Sequence, residues 1–290
     1  MLTRFEFAKY HALGNDYIVM DPARCGFNPL PENVRLLCDR NRGVGSDGIL
    51  FGPVTREGKL WLRVFNPDGG EAEKSGNGVR IFAKYLAERG HAPGGEVSFM
   101  TLGGAVTAHI LPHDMIEADM GKPTFSSAEI PVNGPARDMV GEALVIDGVQ
   151  YSVTCVSVGN PHCVVLCDEI SRLLAVRAGP AIENFRLFPH KTNVQFMRVL
   201  DRSAIRIEIW ERGAGYTLAS GSSACAAASA ARRLGLVDGK VLVKMPGGEV
   251  TVAAGADGRL SLTGEVLGIC AGELASDLVC RLSPEYSGKN

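Results

Sequence analysis

The stretch EKSGNGVRIF, residues 73–82, has a counterpart later in the chain, TLASGSSACA at residues 217–226. Each stretch contains a serine followed by glycine and a small polar residue, and each continues into a run with helical character. The two serines, Ser75 and Ser220, are 220 − 75 = 145 residues apart, which is half of the 290-residue chain. This duplication indicates that one structural unit occurs twice.

Further segments repeat in the same register. Gly14-Asn15 of HALGNDYIVMD aligns with Gly159-Asn160 of VSVGNPHCVVLCD at the shift of 145. LGGAV at 102–106 aligns with PGGEV at 246–250 at a shift of 144. We therefore predict two lobes of like topology, with residues 1–120 plus 266–290 in the first and residues 121–265 in the second.

Strands dominate each predicted lobe. Apolar and alternating runs predict strands before each serine, as in LWLRVFN at 60–66 and AIRIEIW at 204–210. One long helix is predicted after each serine, and both helical runs end in basic residues and a glycine. The expected fold is therefore α+β: two pseudo-symmetric lobes, each a curved, barrel-like sheet around a central helix.

Composition argues against several classes of partner. The formal net charge is −2 and no basic run is interleaved with aromatic residues, so neither nucleic acid nor an anionic membrane surface is expected. No apolar run approaches the ~18 residues that span a bilayer, and the charged N-terminal segment lacks a signal-peptide core. The eight cysteines form no CxxC pair, so we expect reduced thiols in a cytoplasmic protein.

No cofactor or metal is expected. GVGSDG at 43–48 matches a dinucleotide-binding string, but a predicted helix precedes it and a predicted strand follows, the reverse of the required order. His162 and Cys163 beside Cys167 resemble metal ligands, yet no second ligand pair follows them. The alternation in CVVLC instead fits a buried strand.

The two serines allow two interpretations. Serine is favoured as an N-cap, so a structural role at the start of each helix is sufficient to explain it. Alternatively, both corners face a cleft between the lobes, where the free N–H groups of a first helical turn bind carboxylate. Because the corner is duplicated, with Asn77 and Ser222 beside the glycines, we favour a ligand site.

Six stretches carry a family resemblance: HALGNDYIV, RNRGVGSDGI, FNPDGGEAEKSGNGVR, GNPHCV, FPHKTNV and WERGAGYTLASGSSAC. Together they resemble the diaminopimelate epimerase family over nearly the whole chain. The resemblance implies a cofactor-independent isomerase of lysine and peptidoglycan precursor synthesis, with two similar lobes, an amino-acid substrate and a homodimeric state. In that family two cysteines invert an α-carbon: one removes the proton and the other supplies a proton to the opposite face.

The resemblance also implies roles for individual residues. Ser75 and Ser220 correspond to the two catalytic cysteines, and His162 and Glu211 correspond to the groups that polarise them, one each. Substrate binding is implied for residues in the turns and at the two helix starts: Asn15, Asn66, Gly76, Asn77, Gly78, Asn160, Asn193, Arg212, Gly221, Ser222 and Ser223. Several of these have structural explanations as well, since asparagine is favoured in tight turns and Arg212 beside Glu211 is compatible with a surface ion pair.

The sequence departs from the family pattern at the two proton-transferring positions, where serine replaces cysteine. A thiol titrates near ~8.5, whereas a serine hydroxyl is a far weaker acid and needs a strong neighbouring base. The departure leaves several interpretations open: a natural relative that works slowly or on a more acidic substrate, a different isomerase that uses Lys74 as a base, a protein that binds an amino acid without turnover, or an engineered double Cys→Ser substitution. Ser222 and Lys74 are further departures, which favour a natural variant. Gly48 replaces a family glutamine, and looser contacts to the far end of the ligand are expected.

Overall fold

The computed structural model describes residues 4–146 and 148–282. Contacts within the chain divide it into two compact units, the first formed by residues 1–118 with 265–290 and the second by residues 119–264. The boundaries expected from the sequence lie within two residues of this division. In the described part of the chain, no helix is long and apolar enough to cross a membrane.

The first unit consists mainly of strands. Parallel neighbours require a crossover connection, and the helices supply it: α1 joins β2 to β3, and α2 lies between β4 and β6. Strand β8 runs across the boundary between the units. The strands are β1 (Glu6–Ala12), β2 (Asn15–Met20), β3 (Ile49–Arg56), β4 (Lys59–Phe65), β5 (Glu71–Ala72), β6 (Glu96–Thr101), β7 (Gly104–Ile110), β8 (Met115–Gly121) and β18 (Leu267–Glu273), and the helices are α1 (Pro31–Cys38), α2 (Gly76–Glu88) and α5 (Ser276–Arg281).

After its first strand, the second unit repeats the order of elements from β1 to β8. Its two crossovers are α3, between β11 and β12, and α4, between β14 and β15. Its strands are β9 (Glu142–Ile146), β10 (Val149–Ser157), β11 (Pro161–Leu166), β12 (Asn193–Asp201), β13 (Ala204–Glu211), β14 (Gly215–Thr217), β15 (Lys240–Met245), β16 (Gly248–Ala254) and β17 (Leu260–Glu265), and its helices are α3 (Arg172–Glu183) and α4 (Gly221–Arg233).

The two units have the same sheet topology. In the first, the order is β18-β1-β2-β3-β4-β6-β7-β8, with parallel pairs only at β2/β3 and β4/β6. In the second, the order is β9-β10-β11-β12-β13-β15-β16-β17, with parallel pairs only at β11/β12 and β13/β15. Helix α2 shifted by 145 residues coincides with α4, since 76 + 145 = 221 and 88 + 145 = 233. The predicted α+β fold with two similar halves is confirmed.

Helix α2 is the centre of the first unit. Its apolar residues from Val79 to Leu86 are buried and pack against residues of β1, β2, β3, β4, β6, β7 and β8. A helix that is apolar on nearly all sides is typical of such a buried position. Phe82 is fully buried and meets Phe99 edge to face, with ring centroids 5.0 Å apart. The sheet of this unit is therefore assembled around the helix that begins at Ser75.

Helix α4 occupies the same position in the second unit with smaller side chains. Every residue from Ser223 to Ala231 is buried, and six of these nine are alanine. The helix lies against β10, β11, β12, β13, β15 and β16. Alanine has no side-chain entropy to lose in a helix and lets the backbone approach the strands closely. The segment after Ser220 is thus fixed by contacts on all sides.

The eight cysteines are free thiols. Burial raises the pKa of Cys25 and of Cys167 to about 11, so these thiols stay protonated at neutral pH. Among the described residues, no three His, Cys, Asp or Glu side chains are grouped as metal ligands.

We expect Phe82→Ala to lower the free energy of unfolding by about 3–5 kcal/mol, because it leaves a cavity between α2 and β6. Leu102→Ala is the matched control, since Leu102 is 59% exposed in the turn between β6 and β7 and should change stability by at most ~0.5 kcal/mol. Urea unfolding followed by circular dichroism measures both. Equal effects of the two substitutions would contradict the central position of α2.

Candidate active site

Ser75 is the N-cap of α2. Its Oγ accepts a hydrogen bond from the N–H of Gly78 at 3.1 Å, as N-cap serines do. The same Oγ lies 3.1 Å from the phenolic oxygen of Tyr17 on β2. A Cβ at Gly78 would lie 3.0 Å from Leu50 Cδ2 and 3.1 Å from Ser75 Cβ, so a larger residue would crowd the cap. The Ser75 hydroxyl is therefore held in place from two directions.

Tyr17 is a residue that the sequence analysis did not identify. It is buried, and the alternation of β2 places it on the same strand face as Asn15. A Cβ at Gly48 would lie 2.5 Å from the carbonyl oxygen of Phe65 and 2.6 Å from Tyr17 Cε1. The glutamine of the family pattern has no room at position 48 with Tyr17 in this place. Position 48 is therefore glycine, and not the glutamine of the family pattern, in a structure where Tyr17 occupies the space beside it.

Asn15 and Asn77 belong to one chain of polar contacts. Asn77 Nδ2 donates to Asn15 Oδ1 at 3.0 Å, and Asn15 Nδ2 donates to Asp47 Oδ2 at 2.9 Å. At the other end, Nη2 of the fully buried Arg80 donates to Asn77 Oδ1 at 2.6 Å. The contacts fix the orientation of both amides. Arg80 and Asp47 were not among the predicted site residues.

An ion-pair cluster anchors this chain of contacts. Arg40 Nη2 lies 2.7 Å from Asp16 Oδ1 and 2.7 Å from Asp47 Oδ1, and Lys9 Nζ lies 2.8 Å from Asp16 Oδ2. Burial alone would raise the pKa of Asp16, but the hydrogen bonds from Arg40 and Lys9 outweigh burial and lower it to about 2. Asp16 is therefore ionised at neutral pH and holds both cations.

The other two predicted residues of the first unit, Gly76 and Asn66, lie in different kinds of local structure. Gly76 opens α2 directly after Ser75, so its N–H belongs to the first helical turn. Asn66 follows β4 in an exposed turn, where its N–H donates to the Gly70 carbonyl at 2.8 Å. This contact is made by the backbone of Asn66 and holds the turn.

Ser220 caps α4 as Ser75 caps α2. Its Oγ accepts from the N–H of Ser223 at 3.4 Å and lies 3.4 Å from Ser222 Oγ. Ser220 is buried, and Gly221 begins the helix. Ser75 and Ser220 are N-caps with similar extended backbone angles. The N–H groups in the first turn of α4 therefore have the same orientation relative to Ser220 as those of α2 have relative to Ser75.

Glu211 is the carboxylate nearest in sequence to Ser220. It lies at the end of β13 and accepts from Thr217 Oγ1 at 3.3 Å. Burial raises the pKa of Glu211, and the hydrogen bonds from Ser220 and Thr217 offset this only in part. A carboxylate with a raised pKa beside a hydroxyl is the arrangement expected of a general base.

His162 is fully buried on β11. Its Nε2 lies 2.9 Å from Asn160 Oδ1. Burial lowers the pKa of His162 to about 3, and the positive charge of Arg212 acts in the same direction. The imidazole is therefore neutral at physiological pH, which leaves one ring nitrogen able to accept a proton.

Asn193 and Arg212 hold the second unit's loops together. Asn193 Nδ2 donates to the carbonyl of Pro161 at 2.9 Å, and Asn193 Oδ1 accepts from the N–H of Arg212 at 3.0 Å. The exposed Arg212 guanidinium donates through Nη1 to the carbonyl of His190 at 3.1 Å. Both polar atoms of Asn193 thus have backbone partners, which the sequence did not indicate.

The repeat relates residues of different chemistry in the two units. Shifts of 145 place Tyr17 on His162 (17 + 145 = 162) and Asn66 on Glu211 (66 + 145 = 211). Each unit thus offers a serine, a helix start and one strand residue from β2 or β11, and Glu211 of the second unit stands where the first has Asn66. The backbone elements are therefore repeated in the two units, whereas Tyr17 and Asn66 of the first correspond to His162 and Glu211 of the second.

Comparison with known proteins identifies the family. The sequence model described as diaminopimelate epimerase matches residues 7–126 and 154–267. "Diaminopimelate epimerase 2" of Nostoc sp. is 48% identical over 275 residues, which cover 94% of this chain and 96% of that protein. The chain belongs to the diaminopimelate epimerase family. "Diaminopimelate epimerase" of Moorella thermoacetica, another relative, is 35% identical over 277 residues, with 93% and 99% of the two chains covered.

Solved structures share the fold of this diaminopimelate epimerase family member. A hydroxyproline epimerase from Agrobacterium vitis has a TM-score of 0.68 at 13% identity, with 93% of this chain and 90% of that chain covered. A probable proline racemase from Agrobacterium radiobacter K84 has a TM-score of 0.68 at 15% identity, covering 98% and 96%. At such low identity the likeness concerns the fold alone.

The structure groups the predicted residues within each unit. Ser75, Gly76, Asn77, Gly78 and Asn15 lie around the start of α2, whereas Asn66 lies in a separate turn. Glu211, Gly221, Ser222 and Ser223 lie around Ser220. His162, Asn160, Asn193 and Arg212 form a second group on β11 and its neighbours. Their catalytic and binding roles remain predictions.

Proposed function

We propose that the chain is a diaminopimelate epimerase-like isomerase, which inverts an α-carbon of an amino acid by two-base proton transfer. Diaminopimelate, named in the relatives, is the first substrate to test, with LL- to meso-diaminopimelate as the conversion. The proposal rests on membership of the family and on the two duplicated serine corners.

Ser75 and Ser220 are the proposed proton carriers. In the first step a serine oxygen, whose own proton has passed to a neighbouring base, takes the α-hydrogen as a proton, and the electron pair remains on the α-carbon. In the second step the hydroxyl of the other serine gives a proton to the opposite face. Glu211 is proposed to serve Ser220, whose hydroxyl lowers its pKa. His162, the other polarising group that the family resemblance implies, is proposed to serve Ser75.

The two helix starts are proposed to stabilise the negative charge that develops in this reaction. The first N–H groups of α2 and α4 have no acceptor within their helices and carry the positive end of the helix dipole. Donors of this kind lower the barrier when they face the charge that forms in the transition state. Gly76 and Gly221 keep side chains away from these N–H groups.

One observation carries the proposal: burial raises the pKa of Glu211, and the nearby Ser220 hydroxyl lowers that pKa in turn. A serine hydroxyl gives up a proton only to a close and sufficiently strong base. Burial makes Glu211 a stronger base than an exposed carboxylate, and Ser220, which acts on its pKa, caps a helix. A serine with a purely capping role requires no such partner.

Exchange of the α-hydrogen in deuterated water tests the proposal. We expect slow, protein-dependent loss of the α-proton NMR signal of LL-diaminopimelate, faster than for lysine, proline or glutamate. Calorimetric titration of the same ligands measures binding separately. Saturable binding without α-hydrogen exchange of any of these ligands would indicate a binding protein and not an isomerase. Absence of both would overturn the proposed substrate class.

A cytoplasmic location and a homodimeric state are further parts of the proposal. The location follows from the sequence composition and cysteine pattern, and the homodimeric state is implied by resemblance to the family. Sedimentation velocity measures the second: a mass of about twice 30.8 kDa is expected, and a monomer at micromolar concentration would contradict it.

A further inference from the structure

A buried amide lies beside His162. Gln195 on β12 is fully buried, and its Nε2 donates to Ser223 Oγ at 3.0 Å. Within the described residues, two buried polar atoms nearby lack a well-formed hydrogen bond: Oε1 of Gln195 and Nδ1 of His162. The two side chains lie on neighbouring strands, because Gln195 pairs with Val164, two residues from His162 on the same face of β11. Gln195 accordingly raises the pKa of His162, against the effect of burial.

These two atoms complement each other. A carbonyl oxygen accepts, and a neutral imidazole carries one N–H, so a hydrogen on Nδ1 lets both atoms pair in a single contact. Leaving both unpaired in a buried site would be costly, since each has lost its hydrogen bonds to water. In the orientation observed, the amide nitrogen of Gln195 is turned to Ser223, which leaves Oε1 as the atom available to His162.

The first unit shows that the fold does not require a polar group here. The position equivalent to Gln195 is Leu50, since 195 − 145 = 50, and the position equivalent to Ser223 is Gly78, since 223 − 145 = 78. Leu50 is fully buried and lies against Gly78. The same backbone frame therefore accepts an apolar pair where no imidazole is present. The Gln195–Ser223 pair occurs where a histidine lies on the adjacent strand.

We propose that Gln195, held by Ser223, is a positioning residue that keeps the hydrogen of the neutral His162 ring on Nδ1. The lone pair is then on Nε2, which becomes the nitrogen that accepts a proton. Asn160 lies 2.9 Å from Nε2 and suits both states, because its amide nitrogen donates to a bare Nε2 and its oxygen accepts from a protonated one. The inference rests on the proposed function for its catalytic meaning, but not for its structural content.

The substitution that tests this is Gln195→Leu, which copies the residue present at position 50 and nearly conserves volume. Gln195→Glu restores an acceptor at the same place. Gln150→Leu is the matched control, because Gln150 is exposed on β10 of the same unit. Ring ¹⁵N chemical shifts of histidine-labelled protein report the tautomer of His162, with the resonance assigned from a His162→Gln sample.

We expect His162 of the unmodified chain to be mainly the Nδ1–H tautomer. Gln195→Leu should shift the ratio of tautomers toward Nε2–H by roughly 3–10-fold, the size of one hydrogen bond between neutral groups. Gln195→Glu should restore Nδ1–H, and Gln150→Leu should change nothing. An Nε2–H tautomer in the unmodified chain, or no change on Gln195→Leu in a sample that keeps its folded spectrum, would overturn the proposal.

The catalytic part has a separate readout. α-Proton exchange of diaminopimelate should slow on Gln195→Leu by a similar factor with the calorimetric Kd unchanged, and Gln195→Glu should recover most of the rate. A shift of tautomer with no change in rate would refute the positioning role. Failure of the proposed function gives a different result: no variant exchanges any amino acid, while the tautomer measurement still decides what Gln195 does.

Discussion

A doubly substituted chain, Ser75→Cys with Ser220→Cys, is expected to exchange the α-proton of diaminopimelate well over ~100-fold faster than the unmodified chain. This factor is the lower end of what a positioned acid–base group contributes. Both side chains are N-caps with a second hydrogen-bonding neighbour, Tyr17 for Ser75 and Ser222 for Ser220. A thiol in these positions loses its proton near neutral pH, helped by the helix start, whereas a hydroxyl does not.

The single substitutions separate the two faces of the reaction. Either one alone should accelerate full inversion much less than the pair, because one face would still lack an effective proton carrier. Ser152→Cys is the control, since Ser152 is exposed on β10 and a thiol there should leave the rate unchanged. Robust epimerisation by the unmodified chain, with little gain from the two cysteines, would show that serine suffices.

Glu211→Gln is expected to slow inversion by about 10²–10⁴-fold, because it removes the group that takes the proton of Ser220. The amide is isosteric with the carboxylate and can still accept from Thr217, so ligand binding should be retained. Glu169→Gln is the control on the same unit, because the Glu169 side chain is 83% exposed. Equal rates for the two variants would remove Glu211 from the mechanism.

The raised pKa of Glu211 also predicts a pH dependence. Glu211 acts as a base only when ionised, so its step should gain rate as pH rises through this pKa and lose rate below it. Since burial raises that pKa, the acid limb should lie at higher pH than for an exposed glutamate. Rate–pH profiles measure this, and the limb should disappear in Glu211→Gln. A profile that is the same in both proteins would assign the limb to another group.

Much of the fold could be predicted from the sequence because the patterns that indicate helices and strands occur twice at a fixed spacing. A serine followed by glycine before a helical run indicates an N-capped helix start. This pattern occurs at Ser75 and again at Ser220, and both are N-caps in the structure. Alternating apolar runs before and after each serine indicated strands with one buried face. The duplicated spacing then related the halves, and the strand orders of the two units agree with it.

The site was harder to predict because its supporting residues look like core residues. Tyr17 lies within YIVM and Gln195 within NVQFM, where strand alternation explains both without reference to a ligand. Their contacts to Ser75 and Ser223 depend on which face of a strand meets which helix start. The repeat held a usable signal, because the position 145 residues before His162 is Tyr17. For Asn193, no pattern indicated that its amide would bond two backbone groups.

Two-base transfer by Ser75 and Ser220 determines where a deuterium label appears at early times. LL-diaminopimelate is incubated in deuterated water with the unmodified chain at near-stoichiometric concentration, and both isomers are separated after a few per cent conversion. We expect deuterium at the inverted α-carbon of the meso product and protium in the recovered substrate, since the donor on the far face has exchanged with solvent. Retention of the substrate's hydrogen in the product would contradict it, because one group would then have removed and returned the same proton.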